Sequence, residues 1–150
     1  MTVTELPEPR VAVAYHSGFG HTARLAAAVA AGARDAGAEV AMIAVDAITD
    51  DGWHELDESD AVVFGCPTYM GNVSAGFQAF AEKTGRRCIN GTWQNKIAAG
   101  FTNSADQRLR RTVGREDSAV VTCCAHHGVA GPLSVFVVVV PAKTLVPLSL

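Results

Sequence analysis

Residues able to hold an anion are concentrated in one short stretch, Ser17-Gly18-Phe19-Gly20-His21-Thr22, directly after the apolar run Val11 to Tyr15. Helix-forming residues follow from Ala23. This order predicts a buried strand, a tight turn and a helix start. The first turn of a helix carries amide groups without partners and the positive end of the helix dipole, so such a loop is a ready anion site. Ser17, His21 and Thr22 add side-chain donors, and Gly18 and Gly20 let the backbone close round the anion. The spacing is neither GxGxxG nor the Walker pattern, which disfavours a dinucleotide fold or a triphosphate site. An ordinary β–α turn with a Ser/Thr cap would use the same residue types, with His16 and His21 as polar loop residues.

Two further loops favour the anion site. Pro67-Thr68-Tyr69-Met70-Gly71-Asn72 follows the apolar run Ala61 to Cys66, and Thr102-Asn103-Ser104-Ala105 follows Lys96 to Phe101. Pro-Thr-Tyr offers rigidity, a hydroxyl and an aromatic face, all useful against a flat ring. The plainer reading of this segment is a turn that starts the next helix, with Asn72 or Ser74 as cap. His126 and His127 are either a helix-end pair or part of an active site. Neighbouring histidines do not readily face one metal ion, and no further ligand is suitably spaced. The arginines between Arg108 and Arg115 suit a solvated face, or attraction of phosphate groups.

The elements that must carry these loops follow from hydrophobic pattern. Strands are predicted at Val11–Tyr15, Glu39–Val45, Ala61–Cys66, Lys96–Phe101 and Val135–Val140. A helix is predicted from Ala23 to Ala36, with Leu25, Val29 and Ala33 facing the sheet, Gly37 ending it, and Gly32 explained by close packing. A short helix anchored by Trp53 and Leu56 is expected within Asp46 to Asp60. Another runs from Ser74 to Thr84, with Phe77, Phe80 and Ala81 on one side and Gly85 closing it. Asp117 to His127 has a weaker helical pattern. The alternation implies a doubly wound α/β sandwich on a parallel sheet, with ligands outside the C-terminal strand ends. All three loops fall at those ends.

The chain has 150 residues, enough for one domain spanning 1–150, and no repeat or linker interrupts it. Hydrophobic residues at 49% and charged residues at 18% fit a globular α/β protein rather than a disordered chain. A formal net charge of −3 gives no electrostatic case for nucleic acid. Cys66, Cys88, Cys123 and Cys124 show neither CxxC nor CxxH spacing, so reduced thiols in a cytoplasmic protein are the plain reading. The N-terminus lacks an apolar signal core, and the longest apolar run is far short of the ~20 residues that span a bilayer.

The motifs YHSGFGHT, FGCPTYMGNVS, AAGFTNSAD and AHHG together resemble the flavodoxin-like superfamily. More narrowly, they resemble its tryptophan-repressor-binding-protein type of NAD(P)H:quinone oxidoreductase and neighbouring FMN oxidoreductases. The resemblance covers residues 10–107. It implies a five-stranded sheet of order 2-1-3-4-5, FMN as cofactor, NAD(P)H as co-substrate and a quinone-like acceptor. By the same resemblance, Ser17 to Thr22 would wrap the FMN phosphate and Pro67, Thr68, Tyr69, Met70 and Gly71 would line the ring. Asn103, Ser104 and Ala105 would hold its opposite edge and the ribityl chain, and His127 (or His126) would stand where quinone and nicotinamide take turns. Three departures stand out: the final helix is missing, Arg108-Leu109-Arg110-Arg111 replaces a Ser/Gly-rich stretch, and an aromatic position falls near Cys88, with Trp93 close by. The divergence after Gln107 motivates the hypothesis of a truncated or frame-shifted C-terminus. An intact mass from the native source matching all 150 residues would dismiss it. An uncovered sheet face near the fifth strand would need a partner, predicting a homodimer or homotetramer. Other functions left open are a flavodoxin-type electron carrier without a substrate site and a truncated inactive relative.

Overall fold

A computed structural model describes residues 7–70, 72–104 and 137–141. Among the described residues five parallel strands make the sheet: β1 (Arg10–Tyr15), β2 (Glu39–Ala44), β3 (Ala61–Tyr69), β5 (Ile97–Ser104) and β6 (Val137–Pro141). Their order is β2-β1-β3-β5-β6, the expected 2-1-3-4-5 once the two-residue strand β4 (Asn72–Val73), antiparallel to β3, is set aside. Register runs from Val11 opposite Ala61 to Tyr15 opposite Gly65, and from Ala61 opposite Ile97 to Pro67 opposite Asn103.

Side chains of successive strand residues point to opposite faces, and the core divides accordingly. On one face Val13 and Phe101 pack with Leu25, Ala26 and Ala30 of helix α1 (His21–Asp35). On the other, Ala12, Ala14, Val62, Phe64 and Cys66 pack with Leu56 of α2 (Asp50–Glu58) and with Phe77 and Phe80 of α3 (Ala75–Lys83). Helix, sheet, helix is a three-layer sandwich, the flavodoxin-like α/β architecture. Burial of each large side chain contributes roughly 1.5–3 kcal/mol, and Phe77, Phe80 and Leu56 are all essentially buried. Trp53 stacks on Phe80 with ring centroids 5.3 Å apart, and the Arg87 guanidinium lies 4.1 Å above Trp53. Trp53 and Leu56 are thus the anchors expected of this short helix.

Several boundaries differ from the sequence reading. The segment Pro67–Asn72 is not a loop throughout. β3 continues to Tyr69, because Pro67 is still paired with β5 and Thr68 and Tyr69 pair back onto Val73 and Asn72. Likewise β5 extends through Thr102, Asn103 and Ser104. Gly85 does not close α3. The helix ends at Thr84, whose hydroxyl donates to the carbonyl of Ala81, and Gly85 opens the short helix α4 (Gly85–Ile89). Gly37 does terminate α1: it has φ 89° and donates to the carbonyl of Arg34. Gly32, however, is exposed and has no packing role: a Cβ placed there meets nothing within 4 Å. Of the residues expected on the α1 face, Leu25 is buried, while Val29 and Ala33 are partly so.

Candidate functional site at the C-terminal rim of the sheet

Strand order reverses between β1 and β3, one flanked by β2 and the other by β5. A crevice opens at such a switch point, outside the carboxyl ends of the strands. Residues 16–20 leave β1 there and the β3–β4 hairpin leaves β3 there.

The first loop is built round one hydroxyl. Gly20 precedes α1 with φ 88°, a left-handed conformation that glycine adopts without a steric penalty. The amides of Gly20 and Ala23 both donate to Ser17 Oγ, each at 3.1 Å. Backbone donors therefore converge on a single oxygen at the positive end of the helix. The first turn contains no acidic residue, and Arg24, exposed beside it, adds a full positive charge. This donor set suits a phosphate group.

The hairpin reaches over that loop. A Cβ at Gly18 would lie 2.3 Å from the Tyr69 hydroxyl oxygen, so only glycine lets the tyrosine approach this closely. Phe19 meets Tyr69 edge-on at 6.4 Å. Phe19 and Met70 are 84% and 92% exposed, which leaves an apolar rim beside the polar loop. Met70 has φ 51°, a strained value for a residue with a Cβ.

Four hydrogen bonds made by side chains tie the three segments into a closed triangle. Thr22 Oγ1 donates to Asn103 Oδ1 at 2.7 Å, joining the head of α1 to the end of β5. Thr102 Oγ1 donates to the carbonyl of Cys66 at 2.8 Å, so its only proton is committed, and Thr68 must donate across the 2.9 Å between the two hydroxyls. His16 Nδ1 and Ser74 Oγ, 2.8 Å apart, join the end of β1 to the start of α3. Thr22, Thr68, Thr102, Asn103 and Ser74 are all buried. Buried polar groups with partners hold a site rigid, because breaking one such bond strands the other group.

Of the residues singled out from sequence, the structure brings Ser17, Gly18, Phe19, Gly20, His21, Thr22, Pro67, Thr68, Tyr69, Met70, Asn103 and Ser104 to this rim. Gly71, Ala105, Arg108–Arg111, Cys123, Cys124, His126 and His127 lie outside the described residues. Trp93 is a core residue rather than a pocket wall. Its indole N–H donates to Asp57 Oδ1 at 2.7 Å, ahead of the start of β3. Sequence reasoning gave no role to the pairing of His16 with Ser74. Its signal in the sequence, a histidine directly after a strand and a serine directly before a helix, is too common to stand out. Among the described residues no group of three His, Cys, Asp or Glu is placed to hold a metal ion, and no helix is long and apolar enough to cross a membrane.

The profile of the flavodoxin family matches residues 13–111. The chain belongs to the flavodoxin family. A flavodoxin of Pseudomonas aeruginosa, FldP, is 40% identical over 99 residues, covering 64% of this chain and 51% of that protein. The chain thus spans about half the length of that relative. An NAD(P)H dehydrogenase (quinone) of Sinorhizobium fredii is 30% identical over 139 residues, covering 79% of this chain and 67% of its own length. Among solved structures, a WrbA-like flavodoxin of Agrobacterium tumefaciens superposes with a TM-score of 0.69 at 39% identity, covering 81% of this chain and 74% of that one. Family membership makes this an FMN-binding fold. Flavodoxins place their ligand by the switch-point rule, and here the rim at that point carries the converging amides.

Proposed function

We propose that this chain is the flavin-binding unit of an FMN-dependent oxidoreductase that moves electrons from NAD(P)H to a quinone-like acceptor. The observation that carries the proposal is the meeting of two amides on Ser17 Oγ at the head of α1, with the Tyr69 hairpin directly above. In this reading Ser17 to Thr22 hold the phosphate, whose oxygens would take the same amide donors as the serine hydroxyl. Pro67 to Gly71 border the flat ring, and Asn103 to Ala105 border its far edge. The redox chemistry, hydride equivalents taken from NAD(P)H and passed to the acceptor, is supplied by FMN when bound. This chain's own residues bind and orient it. The triangle of hydrogen bonds keeps the three segments in register, and the exposed faces of Phe19, Tyr69 and Met70 leave one side of the site open for a second planar molecule. His127 is assigned the acceptor side, as donor of a hydrogen bond or proton. A soluble cytoplasmic homodimer or homotetramer is part of the same proposal.

A second reading, an electron carrier without a substrate site, has one observation in its favour: FldP, at 40% identity, is itself called a flavodoxin. Steady-state kinetics separate the two. The full chain is loaded with FMN, desalted and supplied with NADH or NADPH and benzoquinone. Sustained turnover supports the oxidoreductase, and bound flavin without turnover supports the carrier. Protein that emerges colourless and leaves FMN fluorescence unquenched refutes both.

A further inference from the structure

We infer that His16 is a positioning residue for the cofactor: through Ser74 it fixes the hairpin side of the site against the phosphate side. The inference rests on the FMN reading above. Its first support is an anomaly at α3. Ser74 stands at the N-cap position of that helix, where a serine hydroxyl ordinarily accepts a bond from an amide of the first turn. Its side chain makes no such bond. The hydroxyl is instead 2.8 Å from His16 Nδ1, and Ser74 is only 1% exposed.

The second support is the space reserved for the imidazole. A Cβ at Gly76, in the first turn of α3, would lie 2.7 Å from both Cδ2 and Nε2 of His16. The ring therefore rests flush on the helix backbone, and any larger residue at 76 would expel it. Third, the backbone of His16 is itself fixed, its amide donating to the carbonyl of Gly65 at 2.9 Å.

One side chain thus links the end of β1, immediately before Ser17, to the first residues of α3, immediately after the return strand Asn72–Val73. Ser74 is covalently two residues from Asn72, which pairs with Tyr69. Loss of the link frees the hairpin that carries Tyr69 over Gly18, although neither His16 nor Ser74 is among the residues assigned to hold FMN. A hydroxyl can donate or accept, so the bond persists in both neutral imidazole tautomers.

The test uses the full chain, FMN titration by fluorescence quenching, and the midpoint potential of the bound flavin. His16→Phe keeps a flat aromatic ring, larger than the imidazole, and removes the bond. His16→Asn places an amide where Nδ1 stands and keeps it. Ser74→Ala removes only the hydroxyl and forfeits no helix cap. His16→Phe and Ser74→Ala are each expected to weaken FMN binding about tenfold and to shift the potential in the same direction. The double variant should be no weaker than either single one, because both break the same contact. His16→Asn should bind within about threefold of wild type. Wild type that binds FMN alongside variants that bind equally well overturns the inference alone. So does additivity in the double variant, or His16→Asn as weak as His16→Phe. Wild type that leaves FMN unquenched refutes the FMN reading and this inference with it.

Discussion

Several polar side chains in this fold find partners far away in sequence, and three half-buried ones among them, Asp57, Arg87 and Lys96, carry charge. Asp57 accepts from Arg87 Nε and Trp93 Nε1, both at 2.7 Å, and the Lys96 ammonium donates to the backbone carbonyls of Asp57 and Ser59 at the end of α2. Burial lowers the Lys96 pKa, and the opposing pull of Asp57, Asp60 and Glu58 does not fully restore it. The sign of the consequence follows from proton counting. Between the lowered value in the folded chain and the ordinary 10.5, the unfolded chain holds more protons at this lysine. Stability therefore gains from this group as pH rises through that window. Urea unfolding of wild type and Lys96→Met across the alkaline range should show a steeper rise for wild type, other titrating groups cancelling in the comparison. Equal slopes would mean that Lys96 titrates as it does in water. None of this was legible in the sequence, where Lys96 read only as the first residue of a strand.

Helices and strands were more readable than their ends. The apolar spacing of α1 and the stop at Gly37 are local properties, and both are seen in the structure. Pro67 looked like the end of a strand because proline lacks the amide donor. β3 passes through it because β5 and the return strand supply pairing from elsewhere in the chain. Gly85 looked like a helix stop because glycine commonly is one, yet it lacks the positive φ that marks Gly20, Gly37 and Gly91 and it begins α4. Gly32 leads to a prediction at this scale. It is exposed within α1, and a methyl group there would meet no other atom. Gly32→Ala should stabilise the protein by about 0.5–1 kcal/mol, raising Tm by roughly 1–4 °C. Thermal unfolding by circular dichroism measures this. A lowered Tm would show that the position is not open in solution.

For the molecule as a whole, cofactor binding and folding are one equilibrium. The loop at Ser17, the hairpin and the end of β5 come together only in the folded sheet, so a ligand that bridges them binds the folded chain alone. FMN at a hundred times its Kd should then stabilise the protein by about 2.7 kcal/mol, with Tm rising as ligand concentration rises. Riboflavin, which lacks the phosphate, should give a much smaller shift if the amides converging at Ser17 are the anchor. Equal shifts from the two ligands would remove the phosphate from its proposed seat.

By itself the sequence determined the alternation of strands and helices, the two faces of the sheet, and the rim on which three loops had to gather. Each of these depends on hydrophobic period and on residues within a turn or two of one another. Only the tertiary structure decided that Thr22 would meet Asn103, 81 residues away, and that His16 would meet Ser74, 58 away. Those encounters depend on the register of parallel strands and on where α3 settles, and a hydrogen bond forms only when both are fixed to within a fraction of an ångström. No local pattern carries that information.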